Sequence, residues 1–311
     1  MSNINLQFLF VLKHECTVSE DGHMKVLKFC MDEGLITDRY VCPQCEREMK
    51  LVKQNRAIDK YEWQCRVYST PAHQVARSVR KGSWFERSKI AIVDVLLMTE
   101  FFVMQRTQSD LRFELGFSER TVCDWRSFYR EVCMEIVLNE SSMLGGFGKI
   151  VEIDESKFGK KKYNRGKHEN GRWVFGGVER GSNKCFFRVV ETRDKGTLLD
   201  VIKTFILPGS TIYSDCWKSY DCLEDEGFQD LKVNHSLNFK DPETGVHNNA
   251  IEGTWSSIKR QLPRRTTTGQ FDSYLAEYMW QRSHSSRGDR MRAFLEGVST
   301  VYKPKDRDYD E

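Results

Sequence analysis

Three acidic residues stand where a carboxylate could hold a divalent cation. Asp154 and Asp215 each follow a short apolar segment and are predicted to end a β-strand, while Glu252 lies in the first turn of a predicted helix. Ligands of open α/β sheets bind at the carboxyl ends of strands, and carboxylates are ligands that Mg²⁺ accepts. Two such ions can activate a water or a 3′-hydroxyl for phosphoryl transfer. The same acids could instead cap the turns that follow them, so position alone leaves a structural role open.

Basic residues follow two of these acids closely in the sequence. Those that could bind the phosphates of a nucleic acid are Lys160, Lys161, Lys162, Arg165, Lys167, Lys259 and Arg260. A run of like charge usually forms a solvated surface. Beside a site that cleaves phosphodiesters, binding to the nucleic-acid backbone becomes an equally good interpretation.

A second group of residues has the spacing of a metal site. Cys42 and Cys45 form a C-x2-C pair, and Cys65 follows in a strand-like segment. A structural Zn²⁺ needs four ligands in a tetrahedral array, so this set lacks one member. The candidates for the fourth ligand are His73, which we favour, and then Cys30 and Cys16. The alternative is a degenerate zinc ribbon that folds without metal and keeps its cysteines as reduced thiols.

The helical segment that follows has the pattern of a helix–turn–helix. Its first helix is expected to end near Gly116, and Ser118 is expected to cap the second. The exposed face of the second helix, which carries Arg120 and Arg126, would then meet the major groove of DNA. An ordinary helical hairpin fits the same pattern. Acidic residues on the exposed face of the second helix make specific contacts with DNA bases less favourable.

The elements that must position the acids follow the order of an RNase H-like sheet. Strands are expected over 149–154, 172–179 and 184–191, then a helix over 195–206, a strand over 211–214, a helix to about 226, a strand over 231–234 and a helix over 249–261. The switch from short alternating strands to mixed strand and helix is typical of an α/β domain.

Composition narrows the class of protein. The 311 residues exceed one typical domain, and 39% hydrophobic residues are enough to form real cores. A net charge of +3 excludes a polycation, so any nucleic-acid binding must come from local patches. Neither a membrane-spanning run nor a convincing signal peptide is found, and cysteines clustered near one end favour metal binding in a reducing compartment. We expect an intracellular protein, nuclear if the host is eukaryotic and otherwise cytoplasmic, that is not secreted.

Four regions are predicted along the chain. They are an N-terminal helical and zinc-ribbon-like region over 1–83, a helix-turn-helix-like helical region over 84–144, an RNase H-like domain over 149–290 and a C-terminal tail over 291–311. A glycine-rich linker at 145–148 is expected before the third region. The predicted fold class is therefore an α/β RNase H-like domain preceded by a zinc-ribbon-like module and a helix-turn-helix segment.

The second half of the chain resembles a known family. The motifs that carry the resemblance are VEIDESKFGKKKYNRG from 151, RWVFGGVER from 172, IYSDCWKSY from 212, VNHSLNF from 233 and HNNAIEGTWSSIKR from 247. They resemble the catalytic core of Merlin-superfamily DNA transposases and their insertion-sequence relatives, whose core is an ISXO2-like DDE transposase domain. The resemblance places the catalytic Asp-Asp-Glu triad of the family at Asp154, Asp215 and Glu252. Residues 216–251 separate the last two acids, which is the family's spacing.

The resemblance implies a metal-dependent DNA transposase. Such a protein would bind double-stranded DNA at terminal inverted repeats, cleave it with two Mg²⁺ or Mn²⁺ ions and join the freed 3′-hydroxyl to target DNA, acting as a homodimer or higher oligomer. One structural Zn²⁺ would be held by the N-terminal region. Two alternatives are a domesticated, catalytically silent DNA-binding protein derived from a transposase, and a nuclease of the same fold that cuts without joining. The intact acids favour the enzyme.

Overall fold

The computed structural model describes residues 4–140, 142–159, 171–215, 223–233, 248–263 and 270–308. The chain divides into two compact units. The first unit is Met1–Ile136 together with Ser286–Glu311, and the second unit is Val137–Ser285.

The described helices and strands are named in chain order. The helices are α1 (Leu6–Val18), α2 (Gly22–Asp32), α3 (Ile92–Val103), α4 (Gln108–Leu115), α5 (Glu119–Glu140), α6 (Lys195–Phe205), α7 (Asn249–Gln261), α8 (Phe271–Ser283) and α9 (Arg290–Val301). The strands are β1 (Lys50–Lys53), β2 (Tyr61–Val67), β3 (His73–Ser78), β4 (Leu144–Gly145), β5 (Ile150–Phe158), β6 (Arg172–Glu179), β7 (Cys185–Val190), β8 (Ile206–Leu207), β9 (Thr211–Asp215) and β10 (Gln229–Val233). None of the described helices is both long and apolar enough to cross a membrane.

The first unit contains a three-stranded antiparallel sheet in the order β1-β2-β3. Tyr61, Trp63 and Cys65 are buried along β2, while the residues between them are partly exposed. This alternation follows from the two-residue period of a strand and gives the sheet one inner face. A buried ion pair between Asp59 and Arg80, with Nε to Oδ2 at 2.5 Å, ties the residues flanking this sheet together.

The core of the first unit is helical and aromatic. Every residue of α3 except Asp94 is buried, as expected for a helix that is apolar on all sides. The rings of Phe102 on α3, Tyr129 on α5 and Phe294 on α9 pack together with centroids 4.9 to 6.0 Å apart. Helices from the middle and the end of the chain therefore share one core.

The C-terminal residues belong to the first unit. Arg290 is buried at the start of α9 and donates to the carbonyl of Val103. Farther on, Asp308 accepts hydrogen bonds from Tyr40 and Arg77. The segment predicted as a tail over 291–311 thus differs from the expectation, because its apolar residues have partners more than 160 positions earlier in the chain.

Helices α4 and α5 are joined by a short turn. Gly116 ends α4 in the left-handed conformation at φ 71°, which glycine adopts without steric cost. The hydroxyl of Ser118 accepts from the backbone N–H of Thr121 and so caps α5. The predicted helix boundaries in this segment agree with the structure.

The second unit is a mixed α/β domain built on a five-stranded sheet. Its strand order is β10-β9-β5-β6-β7, with β5–β6 and β6–β7 antiparallel and β5–β9 and β9–β10 parallel. Only β6 therefore runs against the other four strands. Strands β5, β6 and β7 are consecutive along the chain and form a meander, whereas β9 follows α6 and β8. Of the connection from β9 to β10, where a helix to about 226 was expected, residues 223–227 form turns and residues 216–222 lie outside the described part of the chain. This is the strand order and direction of an RNase H-like sheet.

Helices cover both faces of this sheet. On one face, the side chains of Ile153 and Phe175 pack with α6 through Leu198 and Ile202. On the other face, Phe158, Val174 and Phe187 pack with α7 and α8, and Trp255 of α7 lies among them. Alternate residues of β5 therefore serve different cores, which fixes the register of the strand.

Two expectations for the second unit need correction. Strand β5 was expected to end at Asp154 but continues to Phe158, because Ser156 pairs with Val174 and the β5–β6 ladder extends past the acid. The glycine-rich segment expected as a linker begins inside β4, which pairs in parallel with β8. The backbone N–H of Gly146 also donates to the hydroxyl of Ser210. This segment is thus held to the second unit.

Candidate active site and candidate metal centre

Asp154 lies on β5 and faces the helix that carries Glu252. Its side chain is half-buried, and Oδ2 accepts a hydrogen bond of 2.9 Å from the indole Nε1 of Trp255. Trp255 is three residues after Glu252 on α7, so this bond joins the strand of one acid to the helix of another. Trp255 is buried in the core between α7 and the sheet, so its side chain both packs there and donates to Asp154.

A glycine makes this contact possible. Gly176 is the residue of β6 paired with Asp154, and a Cβ built on it would lie 2.8 Å from Cη2 of Trp255 and 2.5 Å from Cδ1 of Phe187. Real Cβ atoms do not approach other atoms so closely. The indole can therefore lie over the sheet beside Asp154 because no side chain stands opposite.

Asp215 is the last residue of β9, the strand that neighbours β5 in parallel. Glu152 pairs with Tyr213 across these two strands, and Asp154 and Asp215 each lie two residues beyond that pair. The backbones of the two positions therefore lie at the same level of two adjacent strands, with β5 continuing past Asp154 to Phe158. Asp215 is thus in a strand as predicted, and the residues that follow it, 216–222, lie outside the described part of the chain.

Glu252 is exposed in the first turn of α7. The helix is held on the sheet by its buried residues Ile251, Trp255 and Ile258. Because these residues pack on the face of β5 that carries Asp154, Glu252 lies on that side of the sheet as well. The elements that bear the three predicted acids are thus brought together.

Glu152 is a residue of this region that sequence reasoning missed. It lies two positions before Asp154 on the same face of β5, and it is 0% exposed. Its carboxylate accepts from Nε of Arg180 at 2.5 Å and from the backbone N–H of Ile251 at 3.0 Å. The available signal was the alternation in Val151–Asp154, which places Glu152 and Asp154 on one face.

The predicted DNA-binding cations have different surroundings. Lys259 and Arg260 are exposed at the end of α7, and the Lys259 ammonium lies 5.4 Å from the ring centroid of Phe158. In the first unit Arg120 is exposed, whereas Arg126 is half-buried with its guanidinium over the ring of Phe102. The cations outside the described residues are Lys160, Lys161, Lys162, Arg165 and Lys167.

The predicted Cys/His ligands come together in the first unit. The ligand atoms of Cys42, Cys45, Cys65 and His73 all lie within 4.8 Å of one another. Cys42 and Cys45 precede β1, Cys65 lies on β2 and His73 begins β3. His73 rather than Cys30 or Cys16 therefore completes the set, as favoured from the sequence.

The distances in this cluster suit a tetrahedral ion. The sulfurs of Cys45 and Cys65 are 3.6 Å apart, and Nε2 of His73 is 3.5 Å from the sulfur of Cys65 and 3.6 Å from that of Cys42. These sulfur atoms are too far apart for a disulfide, whose bond is about 2.05 Å. They are close to what an ion with ligand distances of about 2.0–2.3 Å requires. The four residues could thus hold one metal ion.

The thiols of the cluster differ in acidity. Burial raises the pKa of Cys42, but hydrogen bonds from the backbone N–H groups of Gln44 and Cys45 and from the thiols of Cys45 and Cys65 together lower that pKa to about 7. Burial and the neighbouring thiols raise the pKa of Cys65 to about 12. Cys42 is therefore the thiol of this pair that ionises first, as a metal ligand must.

Comparison with known proteins gives the class. The family model described as "ISXO2-like transposase domain" matches residues 143–283. An uncharacterized transposase-like protein of Haemophilus influenzae is 31% identical over 104 residues, which is 33% of this chain and 83% of that protein. The chain is thus related to insertion-sequence DDE transposases. It belongs to the ISXO2-like transposase family.

Solved structures give weaker matches. The catalytic core domain of BIV integrase is 13% identical with a TM-score of 0.28, and the match covers 40% of this chain and 80% of the integrase chain. The Mos1 strand transfer complex is 12% identical with a TM-score of 0.28, and the match covers 67% of this chain and 78% of the Mos1 chain. At these identities and TM-scores the likeness to both structures is distant.

Proposed function

We propose that this protein is a DNA transposase that cleaves the ends of its element and joins the freed 3′-hydroxyl to target DNA. The observation that carries the proposal is the meeting of β5, β9 and α7, the elements that bear Asp154, Asp215 and Glu252, in a chain of a transposase family. In this proposal the three acids form one site on the face of the sheet that packs against α7, and a DNA strand would approach them there.

The three acids would hold two Mg²⁺ or Mn²⁺ ions. Their carboxylate oxygens are the hard ligands such ions take, and Glu252 is exposed where a phosphate could share an ion with it. When bound, the ions neutralise charge on the phosphate and lower the pKa of an attacking water or hydroxyl. Trp255 keeps the Asp154 carboxylate in one orientation through its hydrogen bond. A protein nucleophile is not required.

Cations of the second unit would bind the DNA backbone. Lys259 and Arg260 are exposed on α7, two turns after Glu252, where they can bind phosphates flanking the cleaved bond. The basic residues within 160–167 follow β5 in the chain and are assigned the same role. These contacts carry no sequence information and serve to position the strand.

The first unit would recognise the terminal inverted repeats. Its Cys/His cluster would hold one structural Zn²⁺, whose ligand set and distances fit. The exposed start of α5, with Arg120, would enter the major groove, and Arg126 would support it from its position on Phe102. The active form on DNA would be a homodimer or higher oligomer, located where the host keeps its DNA.

The test is cleavage and joining by the purified protein. The substrate is a labelled duplex that ends in the inverted repeats flanking the coding sequence, with and without Mg²⁺ or Mn²⁺. Wild-type protein is expected to cut at the repeat end and to form joined strands. Asp154→Asn, Asp215→Asn and Glu252→Gln should each lower cleavage by about 100-fold or more while repeat binding is kept.

Glu155→Gln is the matched control, because residue 155 adjoins Asp154 but belongs to the opposite face of β5. It should cleave at nearly the wild-type rate. Strand transfer near the wild-type rate in the three acid variants would refute the assignment. Cleavage without joining would indicate a nuclease, and repeat binding without any cleavage would indicate a domesticated DNA-binding protein.

A further inference from the structure

Glu152 is a buried carboxylate that the proposed chemistry does not use. It lies on the central strand of the sheet with no solvent exposure. Burying a carboxylate is unfavourable unless it is paired and hydrogen-bonded, and an apolar residue would fill the same space without that cost. The contacts that Glu152 makes therefore indicate what the carboxylate contributes.

Those contacts join two elements to β5. One is the N-terminus of α7, where the backbone N–H of Ile251 donates to Oε2 of Glu152 at 3.0 Å. The N–H groups of a first helical turn have no partners within their helix, and a carboxylate also interacts favourably with the helix dipole. Glu152 thus fixes the start of α7 on the sheet, one residue before Glu252.

The second contact is Arg180, which directly follows β6. Its Nε donates to Oε1 of Glu152, and its backbone N–H donates to the carbonyl of Ile150. The guanidinium carbon also lies 4.7 Å from the ring centroid of Tyr213 on β9. Arg180 therefore contacts the residue of β9 that is paired with Glu152.

The three elements joined in this way are those that bear the three acids. Glu152 lies two residues before Asp154, Tyr213 lies two residues before Asp215, and Ile251 directly precedes Glu252. We propose that Glu152 and Arg180 are positioning residues that set the relative placement of the three acids and so the affinity of their site for divalent ions. The proposal rests on the proposed function of those acids.

A matched pair of variants separates positioning from mere stability. Glu152→Gln keeps the size of the side chain but removes the charge that pairs with Arg180. Glu179→Gln makes the same change at another buried carboxylate of the sheet, which is 6% exposed and accepts from the backbone N–H of Gly145, away from the acids. Both should lower the melting temperature.

Only Glu152→Gln is expected to change the response to metal. We expect a rise of fivefold or more in the Mn²⁺ concentration at half-maximal cleavage, with a lower kcat at saturating Mn²⁺ and unchanged repeat binding. Calorimetric titration with Mn²⁺ should show the same weakening without DNA. Arg180→Lys keeps the charge but removes the guanidinium that lies over Tyr213. It should lie between wild type and Glu152→Gln, and it serves as the test if Glu152→Gln fails to fold.

The outcomes distinguish the two proposals. If wild-type protein cleaves and Glu152→Gln matches Glu179→Gln in its Mn²⁺ dependence, positioning is refuted while the proposed function stands. If wild-type protein binds Mn²⁺ but does not cleave, the proposed function fails, and the titrations still decide on positioning. If wild-type protein binds no Mn²⁺ at the acids, so that Asp154→Asn leaves the titration unchanged, both proposals are overturned.

Discussion

The orientation of Asp154 depends on the absence of a side chain at the facing position of β6. Gly176 leaves room for the indole of Trp255 to reach Oδ2 of Asp154, and Phe187 closes the remaining space. A glycine inside a strand weakens the strand, and one recognised reason to keep it is the close approach of another group. Here that group is a hydrogen-bond donor to a proposed catalytic acid.

Gly176→Ala is expected to disable the site while leaving the fold. The added methyl must displace Trp255 or Phe187, at a cost of about 1–3 kcal/mol in the free energy of unfolding. Displacement of the indole removes the hydrogen bond to Asp154, so cleavage should fall at least about tenfold, the equivalent of one ordinary hydrogen bond. Cleavage rate and melting temperature are the measurements.

Gly177→Ala is the control for Gly176→Ala. A Cβ at Gly177 would lie 2.4 Å from Cε1 of Phe186, in the core on the other face of the sheet. It should lower stability by a similar amount and leave the metal-dependent cleavage of the folded protein nearly unchanged. Equal loss of cleavage in the two variants would contradict a specific role for the contact between Trp255 and Asp154.

Residues differ in how far the sequence alone could place them. Asp215 and Glu252 were predictable because each stands at the end of a segment with clear periodicity. The contacts of Glu152 were not, since its partners Arg180 and Ile251 lie far along the chain. The need for glycine at position 176 was not predictable either, because it arises only when α7 packs on β6.

At the scale of the elements, the three-stranded sheet of the first unit is built around the four candidate metal ligands. Strands β1–β3 contribute few buried residues of their own, and the Cys/His cluster gathers the segment before β1 with one residue each from β2 and β3. A structural ion held by such a set contributes free energy of folding directly. The stability of this element should therefore follow the metal.

His73→Ala should lower both the zinc content and the stability. We expect bound zinc to fall from about one equivalent per chain toward none, with a decrease in melting temperature of about 2–4 °C for each kcal/mol lost. Elemental analysis and thermal unfolding are the measurements. His73→Cys should keep the zinc, because a thiolate can replace the imidazole as fourth ligand.

Cys16→Ser is the control for His73→Ala, because Cys16 was a candidate ligand in the sequence and lies outside the cluster. It should retain full zinc content and nearly the wild-type melting temperature. A zinc content that is unchanged in His73→Ala but reduced in Cys16→Ser would contradict the ligand set.

The bounds of helices and strands were predicted well where turn residues or a proline follow the element directly in the sequence. Strand β6 has the predicted bounds because a polar turn at 180–183 follows it, and α7 ends before Pro263 as expected. Strand β5 was predicted too short, because the acidic Asp154 after an apolar segment indicated the end of the strand. In the structure the pairing of β5 with β6 continues past Asp154. Pairing between strands, which is not local, decided that boundary.

At the scale of the whole molecule, the first unit is made from both ends of the described chain. Residues from 286 onward supply Phe294 to the aromatic core and Asp308 to Tyr40 and Arg77. The sequence did not predict this, because a short amphipathic helix after a complete domain carries no information about which distant core it joins.

Ending the chain after Ser285 should unfold the first unit but not the second. Loss of a buried aromatic residue alone costs about 3–5 kcal/mol. The deletion also removes the buried Arg290 and the half-buried Asp308. Limited proteolysis with mass spectrometry should show cleavage throughout 4–136 and protection within 137–285. Removing only residues 309–311 is the control and should leave the pattern unchanged, whereas protection of 4–136 in the shorter chain would contradict the shared core.

The second unit is inserted within the sequence of the first unit. During synthesis, the first unit therefore begins to emerge first but is the last to have all of its residues. All residues of Val137–Ser285 emerge before α9, so the proposed cutting unit can fold while the first unit still lacks part of its core. A chain whose synthesis stops shortly after residue 285 would thus carry all three acids but no finished partner unit.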